Sequence, residues 1–235
     1  MAYFADLHIH SCLSPCGDDD MTPANIAGMA KIKGLDIIAV TDHNSARNLP
    51  AVQSCCSAYG LLLLPGMEIT TKEEVHLLAY FETVEDALKF GEELKKHLPQ
   101  KKNNPRFFGH QYVMNEEDEV LDEEDALLIG ATDLPLKAAA ELVLSFGGVP
   151  VPAHINRGSN GLLINLGLMP DAPFYTTVES SRHLPCEEGA LRGRHVLHSS
   201  DAHYLGDIQE REHALQLREG TVKELLRWMR SIKSE

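Results

Sequence analysis

The stretch "LLLLPGMEITTKEEVHLLAYF" (residues 61–81) contains two apolar runs, 61–70 and 74–81, with a few polar residues between them. Each run has the length and side-chain content of a buried strand. A parallel crossover needs a dozen or more residues, so the short link requires a hairpin that turns the second run back along the first. Elsewhere the chain alternates. Strand-like segments at 2–10, 36–43, 148–155, 175–181 and 195–203 are interleaved with helix-like ones at 22–34, 45–59, 83–98, 133–146 and near 161–167. The helix at 22–34 has Thr22 as N-cap, Pro23 in its first turn and Gly34 as its stop. A last helix opens with the capping-box sequence "TVKE" (221–224). Seven strands, mostly parallel but with one hairpin, predict an α/β fold: a distorted seven-stranded (β/α)7 TIM-like barrel.

The whole chain, 1–235, reads as a single domain. Residues 99–131 interrupt the rhythm, and 115–128 are densely acidic. That segment reads as a solvated, mobile excursion. Nothing in the sequence makes it a lid.

Composition narrows the classes. With 43% hydrophobic residues the chain can fill a core, and no apolar run is long enough to span a membrane. The N-terminus lacks a secretory pattern, which predicts a cytoplasmic protein. Thirty-five acidic against 21 basic residues give a net charge of −14, which disfavours a long nucleic acid as partner. The five cysteines, Cys12, Cys16, Cys55, Cys56 and Cys186, are irregularly spaced and read as thiols rather than a disulfide framework.

The candidate functional residues fall where strands end, as they do in α/β barrels. His8 and His10 close the first strand, and alternation points both to one side. His43 closes the second and Glu68 the third. His76 opens the fourth, and the hairpin returns it to the rim that carries Glu68. His154 ends the strand after the excursion. Asp201 and His203 end the last strand, and Cys16 lies in the loop leaving the first. Each residue alone has a structural explanation, and Asp42 reads as a helix cap. A metal-binding residue at nearly every strand end points to a metal site. Nine such residues exceed the three protein ligands of one catalytic zinc and suggest two or three ions, with a carboxylate able to bridge.

The motifs "DLHIHS", "TDHN", "GMEIT", "EVHLLAYF", "PAHINR" and "SSDAHYL", in that order, resemble those of the PHP superfamily (polymerase and histidinol phosphatase). The resemblance runs from residue 6 to about residue 205. It implies a metal-dependent phosphoesterase with up to three ions of zinc, iron or manganese. Carried over by motif, His8, His10, Glu68 and Asp201 would hold the first ion. Glu68 would bridge to a second, held also by His76 and His154. His43, His203 and Cys16 would hold the third. Family members often have histidine or aspartate where Cys16 stands, and a thiolate suits zinc or ferrous iron better than manganese. The nearby aspartates at 18–20 read as a polar turn.

The expected chemistry is hydrolysis of a small phosphomonoester by a hydroxide bridging the metals, with Glu68 and Asp201 holding them. Arg157 is the candidate phosphate clamp, its guanidinium matching phosphate in forked geometry, and Arg182 is a second substrate-binding candidate. Asn44 is a candidate for orienting a ligand from behind. Three other readings compete. They are a nuclease or nucleotide phosphatase of the same superfamily, an amidohydrolase-type deaminase, and a non-catalytic metal-binding module.

Overall fold

The computed structural model describes residues 1–233 as an α/β fold. In chain order the elements are β1 (Ala2–Ile9), α1 (Pro23–Ile32), β2 (Ile37–Val40), α2 (Leu49–Tyr59), β3 (Leu62–Leu63), β4 (Gly66–Thr70) and β5 (His76–Tyr80). Then come α3 (Val84–Leu94), α4 (Pro105–Phe108), β6 (Tyr112–Met114), β7 (Val120–Glu123), α5 (Leu136–Ser145) and β8 (Val149–Pro152). The chain continues with α6 (Leu162–Leu166), β9 (Thr177–Glu179), α7 (Glu188–Leu191), β10 (His195–Leu197), β11 (Ala214–Gln216) and α8 (Val222–Arg230).

Local chemistry sets the boundaries. The Thr22 hydroxyl accepts from the Asn25 amide to start α1, and Gly34, at φ +71°, reverses the chain after it. The Thr221 hydroxyl accepts from the Glu224 amide at the start of α8, one half of the expected capping box. Pro65 has no amide to donate to a ladder, and the apolar run 61–70 breaks there. Its first part, β3, pairs parallel to β2, and its second part, β4, pairs antiparallel to β5 from Gly66–Tyr80 to Thr70–His76. The hairpin expected from the short link is present.

The strands fall into four hydrogen-bonded sheets with the orders β11-β1-β2-β3, β4-β5-β8, β10-β9 and β6-β7. Among the described residues the ladders do not close into one continuous barrel. Single-residue bridges, His43 to Glu68 and Ile9 to Ala202, link neighbouring sheets where the strands end. Two apolar layers line the strands. Leu7, Ile37, Ala39, Leu78, Tyr80, Val149, Val151 and Leu197 pack on one another and on Leu225, Leu226 and Met229 of α8. The opposite faces, through Ile38, Val40, Met67, Ile69, Leu77 and Ala79, pack against α1, α2, α3 and α5. Alternation would put Leu7 and Ile9 on one face, yet they belong to different layers. The register shift between Asp6 and Ile9 accounts for this, and it leaves His8 and His10 on the same side.

Two expectations need correction. The strand β11, antiparallel to β1, lies outside the seven expected strands. The 99–131 excursion is solvated along its acidic stretch, as expected, but it is not a loose segment, because it contains the β6–β7 hairpin and is pinned to the domain. Asp118 accepts from the Thr22 hydroxyl (2.6 Å) and the Ala24 amide (3.0 Å). Glu124 pairs with Lys95 (2.9 Å) and Arg47 (3.1 Å), and the Asn48 amide side chain bonds both strand β6 and Ser11.

Candidate metal centre

Glu68 is the centre of the site. It points inward from β4, between the outward Met67 and Ile69, and it is wholly buried. The Glu68 amide donates to the Asp42 carbonyl (3.1 Å), and the Asn44 amide donates to the Glu68 carbonyl (2.8 Å), so β4 is locked beside the end of β2. Five imidazole nitrogens surround the carboxylate. His76 Nδ1 lies 2.8 Å away, His43 Nδ1 3.2 Å, His8 and His154 Nε2 3.3 Å, and His10 Nε2 3.4 Å. Among the described residues neither Glu68 oxygen has a hydrogen bond, nor do His43 Nδ1, His76 Nδ1 and both nitrogens of His154. Buried polar atoms are almost always satisfied, and this many orphans facing one point fit a cation.

Three overlapping groups of donor atoms could each hold an ion. They are His8, His10 and Asp201; His43, Glu68 and His76; and His10, Cys16, His43 and His203. Eight of the nine residues expected from sequence fall in these groups, and the ninth, His154, joins them through its 3.3 Å contact with Glu68. Asp201 Oδ1 lies 3.3 Å from His8 and 3.2 Å from His10. Asp201 and His154 are non-glycine residues at positive φ, +54° and +27°. Such strain persists only where surrounding bonds enforce it. The Glu179 carboxylate accepts from the His154 amide (2.9 Å), and Asp6 holds the loop at Asp201 through the amide and hydroxyl of Ser200.

The orienting residues are only partly legible in the sequence. Glu179, in "YTTVESS", is buried and lies 3.0 Å from His8 Nδ1, which turns Nε2 toward the cluster. Sequence reasoning missed it, although its signal is the one that marks Glu68, a single acid ending an apolar β run. Asp42 is no helix cap. It accepts from the Ser11 amide (2.7 Å), the Ser11 hydroxyl (2.6 Å) and the Ser14 hydroxyl (2.7 Å), and Ser14 in turn contacts His10 Nδ1 (3.0 Å). Among the described residues the Asn44 side chain makes no hydrogen bond to a ligand side chain. Its amide donates to the carbonyls of Leu128 and Gly130 and its oxygen accepts from the Thr70 amide. The aspartates at 18–20 form a polar turn, with Asp19 and Asp20 exposed and the half-buried Asp18 accepting from the Asp20 amide.

The electrostatics are those of buried opposite charges. Burial would push Glu68 up, but His76, His8 and the other imidazoles hold it well below the usual carboxylate range. Burial opposes charge on His8 and His10 as well. Even so, Glu179, Glu68 and Asp201 raise His8 well above its ordinary value, and Asp201 with Glu68 raises His10 to about 9. Burial pushes the Cys16 thiol up to about 12, helped by Glu68, so only a bound cation would make it a thiolate.

A cleft of about 560 Å³ opens beside the cluster, with His154, Glu179 and Asp201 in its wall. Arg157 lines it, half exposed, and its guanidinium pairs with Asp201. Arg182 lines it too, bonded to Glu212 (2.9 Å) and Gln209.

The PHP domain family model matches residues 6–141. The chain belongs to the PHP domain family. Its donor groups gathered around Glu68 could hold metal ions. The curated protein MJ1587 of Methanocaldococcus jannaschii, described as uncharacterized, is 36% identical over 77 residues, covering 29% of this chain and 45% of that one. Among solved structures, the lesion-specific endonuclease Q of Pyrococcus furiosus superposes with a TM-score of 0.72 at 20% identity over 97% of this chain. A candidate metal-dependent phosphoesterase of Bifidobacterium adolescentis gives 0.62 at 19% identity, covering 94% of both chains. An amidohydrolase of Chromobacterium violaceum gives 0.57 at 18% identity, covering 96% of both. These likenesses concern the fold. The chain spans 56% of the endonuclease Q chain, about half its length.

The comparison overturns one expectation. A second structure of endonuclease Q, with a TM-score of 0.70, is a complex with a 27-mer duplex substrate that has an abasic lesion at the active site. A similar fold accommodates a duplex in that protein, so the expectation that a long nucleic acid is disfavoured does not stand. Net charge averages a whole surface, whereas a strand meets a local patch. Among the described residues, no helix is long and apolar enough to cross a membrane.

Proposed function

We propose that the cluster around Glu68 is the active centre of a phosphoester hydrolase, and that the cleft beside it receives the phosphorylated substrate. One observation carries the reading. A fully buried carboxylate without a hydrogen bond is ringed by five imidazoles, an arrangement that fits divalent cations. In this reading His8, His10, Glu68 and Asp201 hold one ion, Glu68 with His76 and His154 a second, and His43, His203 and Cys16 a third. Zinc or ferrous iron suits the thiol best. The ions, when bound, acidify a water and neutralise phosphoryl oxygens.

The chain's own residues do the rest. Glu68 and Asp201 stay anionic, since the imidazoles hold both below the ordinary carboxylate range, so neither serves as proton donor. Glu179 and Ser14 fix the ring orientations of His8 and His10. Arg157, at the boundary of cluster and cleft, turns its guanidinium from Asp201 to the substrate phosphate, and Arg182 binds the remoter part. Burial of the donors keeps bulk water from competing with the incoming group.

The volume of the cleft suits a small phosphomonoester. A second reading, a phosphodiester of a nucleic acid, is favoured by the likeness to endonuclease Q over 97% of the chain. In the same reading the chain is a single domain, and the sheets that share the Leu7–Tyr80–Val151 layer form a distorted barrel closed by α8.

The test is phosphate release from a panel of phosphomonoesters, with a chromogenic ester and a labelled oligonucleotide alongside, by metal-loaded wild type and Glu68→Gln. Hydrolysis that disappears in the variant supports the reading, and the preferred compound distinguishes its two forms. Failure of fully metallated protein to cleave any member overturns it.

A further inference from the structure

The excursion carries a feature of opposite character to its acidic stretch. Residues 100–113, "QKKNNPRFFGHQYV", include Lys101, Lys102 and Arg106 and no acid, within a chain of net charge −14. Phe107 is 81% exposed and Phe108 is 37% exposed. The Lys101 ammonium lies 5.6 Å from the centroid of the Phe108 ring. The rings of His110 and Tyr112 stack in parallel, with centroids 4.7 Å apart and planes 7° apart. Lys102 pairs with Asp125 and His110 with Glu123, whereas Lys101 and Arg106 have no ion-pair partner among the described residues. Phe107 is turned to water and its neighbour Phe108 is partly so, and clustered exposed apolar surface marks an interaction site.

The placement adds to this. A Cβ on Gly109 would lie 2.1 Å from the Pro15 carbonyl, so the segment runs directly against the loop that delivers Cys16 to the metal cluster. The Tyr112 amide donates to the Cys12 carbonyl of the same loop (3.0 Å).

We propose that this segment is a platform for single-stranded nucleic acid, with bases stacked on Phe107 and Phe108 and backbone phosphates on Lys101 and Arg106. Aromatic faces interleaved with unpaired cations are the chemistry of sequence-tolerant single-strand binding. The local charge is complementary to a phosphate backbone, while the surrounding acidic surface confines the strand to this strip. The proposal rests on the nucleic-acid reading above only in that the strand would lead toward the cluster. Binding itself is separate from hydrolysis.

The experiment is fluorescence anisotropy of the full, metal-loaded chain with a labelled single-stranded phosphorothioate oligonucleotide, repeated with its duplex. Phe107→Ala/Phe108→Ala is expected to weaken single-strand binding about tenfold or more, the scale of losing stacked bases. Lys101→Ala/Arg106→Ala is expected to lower the salt dependence, by about 0.7 in the log–log slope for each phosphate no longer neutralised. Both pairs are exposed, and unchanged thermal melting would show the fold intact. Hydrolysis of a small chromogenic ester should persist in all variants, which separates this proposal from the hydrolase reading. Wild-type protein that binds no oligonucleotide, or a phenylalanine variant that binds as tightly as wild type, overturns the platform.

Discussion

The Glu68 cluster and the 99–131 excursion are both dense in titratable groups, yet they are built in opposite ways. In the cluster the charges are buried and their partners converge from six strand ends, so each side chain depends on all the others. In the excursion most charges are solvated and pair locally, as Lys102 does with Asp125 and His110 with Glu123. An exposed pair is worth about 0–1 kcal/mol, whereas a buried charge stripped of its partners costs several. Changes in the cluster should therefore affect function and fold together, and changes in the excursion should be graded.

The largest effect is expected for Glu68→Gln. Removing the central charge takes away the counterion shared by five imidazoles. Metal content by elemental analysis should fall, and hydrolysis should become undetectable. A variant that kept both full metal content and activity would show that the ions, if bound, sit elsewhere. Metal loading of the wild type at pH 7 should also release protons, because His8 is raised and His10 is held at about 9 in the metal-free protein. Calorimetric titration in buffers of different ionisation enthalpy measures that release. A Cys16→Ser protein should release one proton fewer if the thiol is deprotonated on binding.

Next comes Arg157→Ala, expected to lower hydrolysis roughly a hundredfold, the scale of removing one charge-stabilising donor. Its metal content should be unchanged, which distinguishes a substrate clamp from a mere partner of Asp201. Glu179→Gln should be milder, costing about ten- to a hundredfold in metal affinity, because His8 loses the group that orients its ring while the donor atoms all remain.

What is legible in the sequence follows the same division. Ligands at strand ends are legible because alternation and strand length are local properties. "HIH" presents two imidazoles to one side as a strand does, whereas Asp201 and His203 of "DAH", expected at the end of a strand 195–203, lie beyond the end of β10 at Leu197 with Asp201 at φ +54°. The hairpin at 61–81 is legible because a link that short permits one geometry. Asp42 passes for a helix cap because its partners Ser11 and Ser14 lie 31 and 28 residues away, and only the parallel β1–β2 pairing brings them together. β11 escapes notice because its three residues carry no periodic signal and its pairing partner is the first strand of the chain. The excursion shows only its charge in sequence, and charge density does not reveal whether acids meet water or basic side chains.

The smallest expected effect sharpens that last point. Burial would push Glu124 up, but Lys95 and Arg47 hold it below the ordinary glutamate value. A carboxylate depressed on folding contributes stability that is fully present above its unfolded value, near 4.5, and is lost as pH falls through the depressed one. At neutral pH, Glu124→Gln should therefore loosen the β6–β7 hairpin by about 1 kcal/mol, the upper range for a partly solvated pair. Amide hydrogen exchange resolved along the chain is the measurement. Exchange in 111–124 should quicken in the variant at pH 7 and approach the wild-type rate in acid, after correction for the intrinsic pH dependence, while the strands around Glu68 stay protected. Equal exchange in the two proteins at neutral pH would mean that the bonds from the side chains of Gln111, Asn44 and Asn48 to the backbone hold the excursion by themselves, and that its acids serve only to solvate it.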